Sequence, residues 1–256
     1  MSIDAPVPAV YDCRLHGGAP IIYPWVFTLG VLLSLLWLIL FQTDRQAGSA
    51  VPDPLPAAVW ALASGLLQAR LGFAAVYSTY YLRHPLELFW LWQGGLSGAG
   101  GLLGGLLGLA VYSRLSATSW VRNADTLSQP ALILAMSCWI GCWLDGCAYG
   151  LPLDSSLPLV TTADMFATRI ARWPTALIGL LPPLAIFVLL FKQGSRQPTG
   201  WNAALAFTAI ALGILLASLV RADPMPLLLN ARLDTLAGLA LSIAGALALL
   251  ISFSKR

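Results

Sequence analysis

An all-α membrane protein of about seven spans is the architecture this sequence predicts. Hydrophobic residues make up 58% of the 256 residues and charged residues only 10%, and mean hydropathy is +0.78. A soluble chain of that size needs far more polar surface. Apolar runs of about 20 residues, the length that crosses roughly 30 Å of hydrocarbon, recur from one end to the other. The breaks between them are short, so a single membrane domain over residues 1–256 is expected, with no soluble module.

Taken in order, Met1 to Ala19 carries Asp4 and Asp12 instead of a basic stretch, so no cleaved signal peptide is expected. The first span runs roughly over 21–41 and a polar break over 42–56. The second span, about 55–77, contains Arg70. An arginine that deep in hydrocarbon costs on the order of 2.5 kcal/mol or more, so it faces a protein-lined cavity and holds an anion or a carbonyl, or else snorkels to an interface. Residues 86–112 are too long and too glycine-rich for one plain helix: Gly94, Gly95, Ser97, Gly98, Gly100 and Gly101 precede Gly104 and Gly105. Such glycines either break a helix beside a cavity or let helices pack closely.

A loop over 113–128 leads to a fourth span, about 130–149. A longer polar excursion, 150–173, is expected to project over one membrane face, with a short interfacial helix. Spans over 175–191, 201–220 and 235–253 complete the set. Lys and Arg divide almost evenly between the faces: Arg45, Arg114, Arg122, Lys192, Arg196, Lys255 and Arg256 against Arg14, Arg83, Arg169, Arg172, Arg221 and Arg232. Setting aside Arg172, Arg221 and Arg232, which border polar motifs, puts the N-terminus outside and the C-terminus in the cytoplasm. The net charge of +3 serves orientation, and no nucleic-acid partner is expected.

The segment from Cys138 to Gly150 places an aspartate, three thiols and three glycines in an apolar stretch. Cys138 and Cys142 share a helical face, which leaves packing, a soft metal or no role open for the thiols. A disulfide is less expected there than those alternatives.

In order and with compatible spacing, these motifs resemble the prolipoprotein diacylglyceryl transferase family. Tyr23 matches an early tyrosine, and Arg70-Leu-Gly72 resembles Gly-Arg-x-Gly-Tyr. Trp92-Gln-Gly94-Gly95-Leu-Ser97-Gly-Ala99-Gly100-Gly101 is similar to Trp-x-Gly-Gly-Met-Ser-x-His-Gly-Gly. The Cys138–Gly150 stretch is similar to Gly-Arg-x-Gly-Asn-Phe-x-Asn-Gly-Glu-x-x-Gly, keeping Gly141, Gly146 and Gly150. Arg172-Trp-Pro174-Thr175 resembles Arg-His-Pro-Ser/Thr-Gln-Leu-Tyr-Glu, and Arg221-Ala-Asp-Pro224 resembles Arg-x-Pro-Asp. The departures are Ala99 for the histidine, Trp139 for the arginine, Cys142 and Asp145 for two asparagines, and Cys147 for the glutamate. Ala176, Ile178 and Gly179 replace the later Gln, Tyr and Glu.

The resemblance implies a bacterial inner-membrane transferase that joins a diacylglyceryl group from phosphatidylglycerol, or another anionic phospholipid, to the lipobox cysteine of a prolipoprotein, with no cofactor and no metal. That chemistry needs a base for the thiol and cations for the lipid phosphate. Arginine's planar fork suits phosphate, which makes Arg221 and Arg70 the candidates. The two histidines, His16 and His84, lie in loop segments. Asp145 is then the best buried acid, equally readable as a base or, beside a partner, as a structural anchor. Tyr23 and Tyr149 can donate to phosphate or ester oxygens, or serve as interfacial aromatics. The expected catalytic pair is Asp145 and Arg221, with substrate held by Tyr23, Arg70, Gly94, Gly95, Ser97, Gly100, Gly101, Gly141, Gly146, Tyr149, Gly150 and Arg172. Two other readings remain: a family-fold protein that binds anionic lipid or lipoprotein without turnover, and a small-solute transporter built on the broken helix. Convergence of Asp145, Arg70, Arg221 and Tyr23 on one cavity open to lipid favours catalysis, whereas an Asp145 that faces lipid or packs elsewhere removes the argument for the site.

Overall fold

Seven helices long and apolar enough to cross a membrane make up most of the described chain, a computed structural model that describes residues 22–42, 53–91, 94–154, 161–163, 169–193 and 199–254. The spans are α1 (Tyr23–Trp37, extended by a π-helical turn over Leu38–Gln42), α2 (Leu55–Val76), α4 (Gly98–Leu115), α5 (Trp120–Asp145), α6 (Thr175–Lys192), α7 (Trp201–Ser218) and α8 (Leu233–Phe253). A short helix, α3 (Ser78–Arg83), and a 3-10 turn, Pro85–Phe89, lie between α2 and α4. His16, Arg45, Trp92, Gln93, Arg196, Lys255, Arg256 and the N-terminal stretch fall outside the described residues.

Helices in lipid gain little from hydrophobic burial against one another, so they associate where small residues let backbones approach. Glycines spaced four apart do this for α4. A Cβ on Gly100 would lie 2.6 Å from the Gln68 carbonyl, and one on Gly104 2.6 Å from the Ser64 carbonyl of α2. Across α1 and α5, Gly30 meets Ser137, the Ser34 hydroxyl donates to the Pro130 carbonyl at 2.9 Å, and Trp37 Nε1 donates to Gln129 Oε1 at 3.4 Å. Gly213 of α7 packs on the Gly179 carbonyl of α6, and Gly238 of α8 lies against Leu215 of α7. Each of these pairs is antiparallel. The ends α1-N, α2-C, α4-N, α5-C, α6-N, α7-C and α8-N therefore gather on one face, called here the site face. On the opposite face Asp125 accepts from the amides of Gly200 and Ala203, holding the start of α7.

Two expectations are corrected. Residues 120–128 are not loop: α5 runs unbroken through Pro130. Ser119 caps it by accepting from the Arg122 amide at 3.4 Å, and a buried face over Ala124, Leu127, Ser128, Gln129 and Leu132 outweighs the one donor that proline removes. Among its described residues the excursion after Gly150 carries two antiparallel strands, β1 (Thr161–Ala163) and β2 (Arg169–Ala171); the rest of it, residues 155–160 and 164–168, where the short interfacial helix was expected, lies outside the described residues. Cys142 and Cys147 form a disulfide, with Cα atoms 4.9 Å apart. Gly146, at φ 68°, ends α5 in a left-handed turn that brings the next residues back against the helix.

The α2–α4 seam gives a direct stability test. Gly104→Ala sets a methyl against the Ser64 carbonyl and costs about 1–3 kcal/mol, read as a lowered unfolding temperature in detergent. Gly105→Ala, whose nearest contact is 3.6 Å away, leaves that temperature unchanged or raises it through helix propensity.

Candidate active site

Three groups of the expected site residues lie on the site face. The first joins α1 to the end of α5. Asp145 Oδ1 and Oδ2 accept from the backbone amides of Ile22 and Tyr23 at 3.0 and 2.8 Å. First-turn amides have no acceptor within their own helix, so a carboxylate from the neighbouring helix satisfies them and meets the positive end of the dipole. Gly141 leaves room for the Tyr23 ring, 2.9 Å from where a Cβ would sit.

The second group centres on Arg70, only 3% exposed. Its guanidinium donates to five backbone carbonyls: Glu87, Leu88 (2.9 Å), Trp90 (3.3 Å), Gly94 (2.5 Å) and Gly95 (3.2 Å). Gly94 and Gly95 both have positive φ, 83° and 77°. That conformation is open to glycine and turns both carbonyls toward the arginine. Of the roles expected for Arg70, holding carbonyls is the one seen. The Tyr81 ring lies 5.2 Å below the guanidinium, and burial raises its phenol pKa against the opposing pull of Arg70. Ser97 starts α4 by accepting from the Gly100 amide at 3.2 Å, and its own amide donates to the Ala69 carbonyl. A Cβ on Gly101 would lie 3.5 Å from the Ala69 Cβ.

The third group is a backbone ladder. Gly150 bridges to Arg221 and Pro152 to Arg172, and the amides of Leu151 and Ala222 donate to Val220 and Tyr149 at 2.9 Å each. Arg172, 6% exposed, donates to the Gly150 carbonyl at 3.3 Å and stacks 5.0 Å over the Tyr149 ring. A side chain at Gly150 would strike the Trp173 carbonyl. Arg221 forms a fork with Asp223 (Nε to Oδ1 2.7 Å) and reaches Asp234 at 3.5 Å. Arg232 pairs with the same two aspartates at 3.3 and 3.1 Å. The four side chains form an electrically balanced quartet.

Tyr23, Gly141 and Asp145 thus come together, as do Arg70, Gly94 and Gly95, and as do Tyr149, Gly150, Arg172 and Arg221. The second and third groups are linked by Phe73 and Tyr77, whose rings are 4.8 Å apart, and by the Tyr77 hydroxyl, which donates to the Pro224 carbonyl at 3.1 Å. Sequence reading missed Asp223, Arg232 and Asp234 as one unit. The signal was present in a repeated pattern, Arg221-x-Asp223 and Arg232-x-Asp234. Among the described residues no group of three His, Cys, Asp or Glu side chains is placed to hold a metal ion.

A sequence model of the prolipoprotein diacylglyceryl transferase family matches residues 17–251. The phosphatidylglycerol–prolipoprotein diacylglyceryl transferase of Paracidovorax citrulli is 33% identical over 140 residues, 54% of this chain and 52% of the relative. The enzyme of that name from Methylibium petroleiphilum is 27% identical over 186 residues, 70% of each chain. That from Bordetella avium is 33% identical over 144 residues, 55% of this chain and 53% of the relative. The alignment spans about half the length of the Paracidovorax and Bordetella proteins. With seven spans in place and a family match over nearly its whole length, this chain is a member of the prolipoprotein diacylglyceryl transferase family.

Proposed function

We propose that the chain transfers a diacylglyceryl group from an anionic phospholipid, phosphatidylglycerol first, to the thiol of a lipobox cysteine in a prolipoprotein. The thiol loses its proton to a base, its sulfur attacks the glyceryl carbon, and the C–O bond to phosphate breaks to release glycerol phosphate. The observation that carries this reading is family membership together with the Tyr149–Arg172–Arg221 ladder, which sets two guanidiniums and a phenol on one face of the bundle. Arg172 and Arg221 take the phosphate. Tyr23 and Tyr149 donate to ester or phosphate oxygens. Gly94, Gly95, Ser97, Gly100 and Gly101 fix the start of α4 beside Arg70, Gly141 and Gly150 make room for Tyr23 and Trp173, and Gly146 turns the chain from α5 toward Tyr149. Arg70, whose donors meet backbone carbonyls, acts by holding the segment before α4 in shape. Asp145 is assigned the anchor role, because both its oxygens already accept from α1.

A second reading, binding of anionic lipid or lipoprotein without turnover, is favoured by one contact. Trp139 stands where the family has an arginine and covers Gly179, which stands where it has a glutamate. The transporter reading has no observation in its support.

The disulfide supports an orientation. Disulfides persist in oxidising compartments, and Cys142–Cys147 closes the site-face end of α5. The site face with the N-terminus then lies outside the cytoplasmic membrane and the C-terminus inside, as the loop charges imply.

Three experiments test these readings. Purified protein given phosphatidylglycerol vesicles and a lipobox peptide yields a peptide heavier by one diacylglyceryl group, and Arg221→Ala lowers the rate at least about a hundredfold. Product from Ala99→His with none from the wild type establishes the binding reading instead. Asp145→Asn keeps a capping oxygen but loses basicity, so it retains activity within a few-fold, while Asp145→Ala destabilises by about 1–2 kcal/mol; loss of turnover in the Asn variant at unchanged stability makes Asp145 the base. In intact cells treated with reductant, an impermeant maleimide labels Cys142 and Cys147. Labelling only after the inner leaflet is opened reverses the orientation.

A further inference from the structure

After α7 the chain leaves the membrane, turns and re-enters at Leu233. The intervening residues pair as β3 (Leu227–Leu228) with β4 (Ala231–Arg232), Leu227 opposite Arg232 and Leu228 opposite Ala231. Leu229 and Asn230 close the hairpin with φ of 53° and 62°, the two positive values of a type I′ turn. Asparagine or glycine is the usual occupant of the first of these positions, and leucine there is uncommon. Leu227, Leu228 and Leu229 are exposed by 67%, 54% and 89%. From Pro224 to Ala231 the sequence reads Pro-Met-Pro-Leu-Leu-Leu-Asn-Ala, with no charge. The polar groups lie at the base: Arg232 donates to the Asp223 carbonyl at 2.8 Å and pairs with Asp234, and the Leu233 amide donates to the Pro226 carbonyl at 3.1 Å.

Reach decides what can cover these leucines. Two-residue strands extend roughly 7 Å, and the headgroup zone on each side of a bilayer is about 5–8 Å deep. Rooted at the first residue of a membrane span, a hairpin about as long as that zone is deep stays at the bilayer surface, within reach of lipid. It sits where lipid is the neighbour, presenting three leucines and no charge. We propose that the β3–β4 hairpin is a lipid-contact element whose leucines insert at the acyl-chain border of the leaflet on the site face. Its occupant is the bilayer surface, and its charged base keeps the Arg221–Asp223–Arg232–Asp234 quartet level with the headgroups. This is independent of whether the chain transfers diacylglyceryl groups.

The test uses the full chain in nanodiscs of phosphatidylglycerol and phosphatidylcholine. Leu229→Cys, in a background of Cys13→Ser and Cys138→Ser that leaves the Cys142–Cys147 disulfide intact, carries an NBD probe, with Leu228→Cys as a parallel reporter. The expected result is blue-shifted emission, quenched several-fold more by lipids with a shallow nitroxide than by aqueous iodide. Emission as in water with full iodide access overturns the proposal. Blue-shifted emission that neither quencher reaches overturns it as well, since protein would then cover the tip. Should the serine background fail to fold, a photoreactive residue at position 229 in the native chain gives the same answer: crosslinks to phospholipid support lipid contact, and crosslinks confined to protein overturn it.

Discussion

A guanidinium near the end of a membrane helix must be surrounded by acceptors, and a non-helical segment at the same depth must find donors for its carbonyls. Arg70 and residues 87–95 solve each other's problem. The charge stays inside the protein because five carbonyl dipoles surround it, and those carbonyls tolerate low polarity because one side chain serves them all. Lysine has the charge but not the planar fork that reaches several carbonyls at once. The consequences run outward from this contact. The Ser97 amide bonds the Ala69 carbonyl, Ser97 then caps α4, and the glycine seam of α4 closes on α2. The start of one span is thus fixed by an arginine on the preceding one.

The other elements of the site face are held by the same kind of exchange between helix ends and side chains from elsewhere. Asp145 closes the first turn of α1, the Thr175 hydroxyl donates to the Ala148 carbonyl, and Tyr77 reaches the Pro224 carbonyl. Helix ends that stop near the lipid boundary cannot count on bulk water for every unpaired group. A dense polar layer on one face follows from this need alone. Density of polar contacts there is accordingly weak evidence for catalysis, and the roles of individual residues must rest on which groups still point at a substrate.

The spans were legible in the sequence because length and hydropathy act alone. The α5 start was obscured by Pro130, whose rule is local, while the burial that overrides it comes from residues far along the chain, Leu38, Ala57 and Leu109 around Ala124 and Leu127, and Leu190, Ala206 and Ala209 around Leu132. Cys142–Cys147 was invisible for a geometric reason. Five residues along an unbroken helix turn the second side chain well away from the first, and only the left-handed turn at Gly146 folds it back. For Arg70 the sequence limited the choice of ligand without deciding it, since an anion and a carbonyl satisfy a guanidinium equally well. The Arg-x-Asp repeat was readable as two motifs, but their closure into one quartet depends on the short β3–β4 hairpin that brings Arg232 back beside Arg221.

Four of the departures from the family pattern fall in two touching pairs. Trp139 and Gly179, at the positions of an arginine and a glutamate, lie in contact, the indole occupying the volume that a side chain at 179 would need. Cys142 and Cys147, at the positions of an asparagine and a glutamate, are joined to each other. Removing one member of a buried charged pair strands the other at about 3–5 kcal/mol, whereas replacing both by groups that fit is close to neutral. Substitution in pairs is therefore how such a face loses polar groups without unfolding. What these exchanges leave untouched is the ladder, where Arg172 still stacks on Tyr149 and Arg221 still flanks Gly150. The chemistry proposed for this chain has to be carried there, and a phosphate arriving at Arg221 must compete with Asp223 and Asp234 for the same donors.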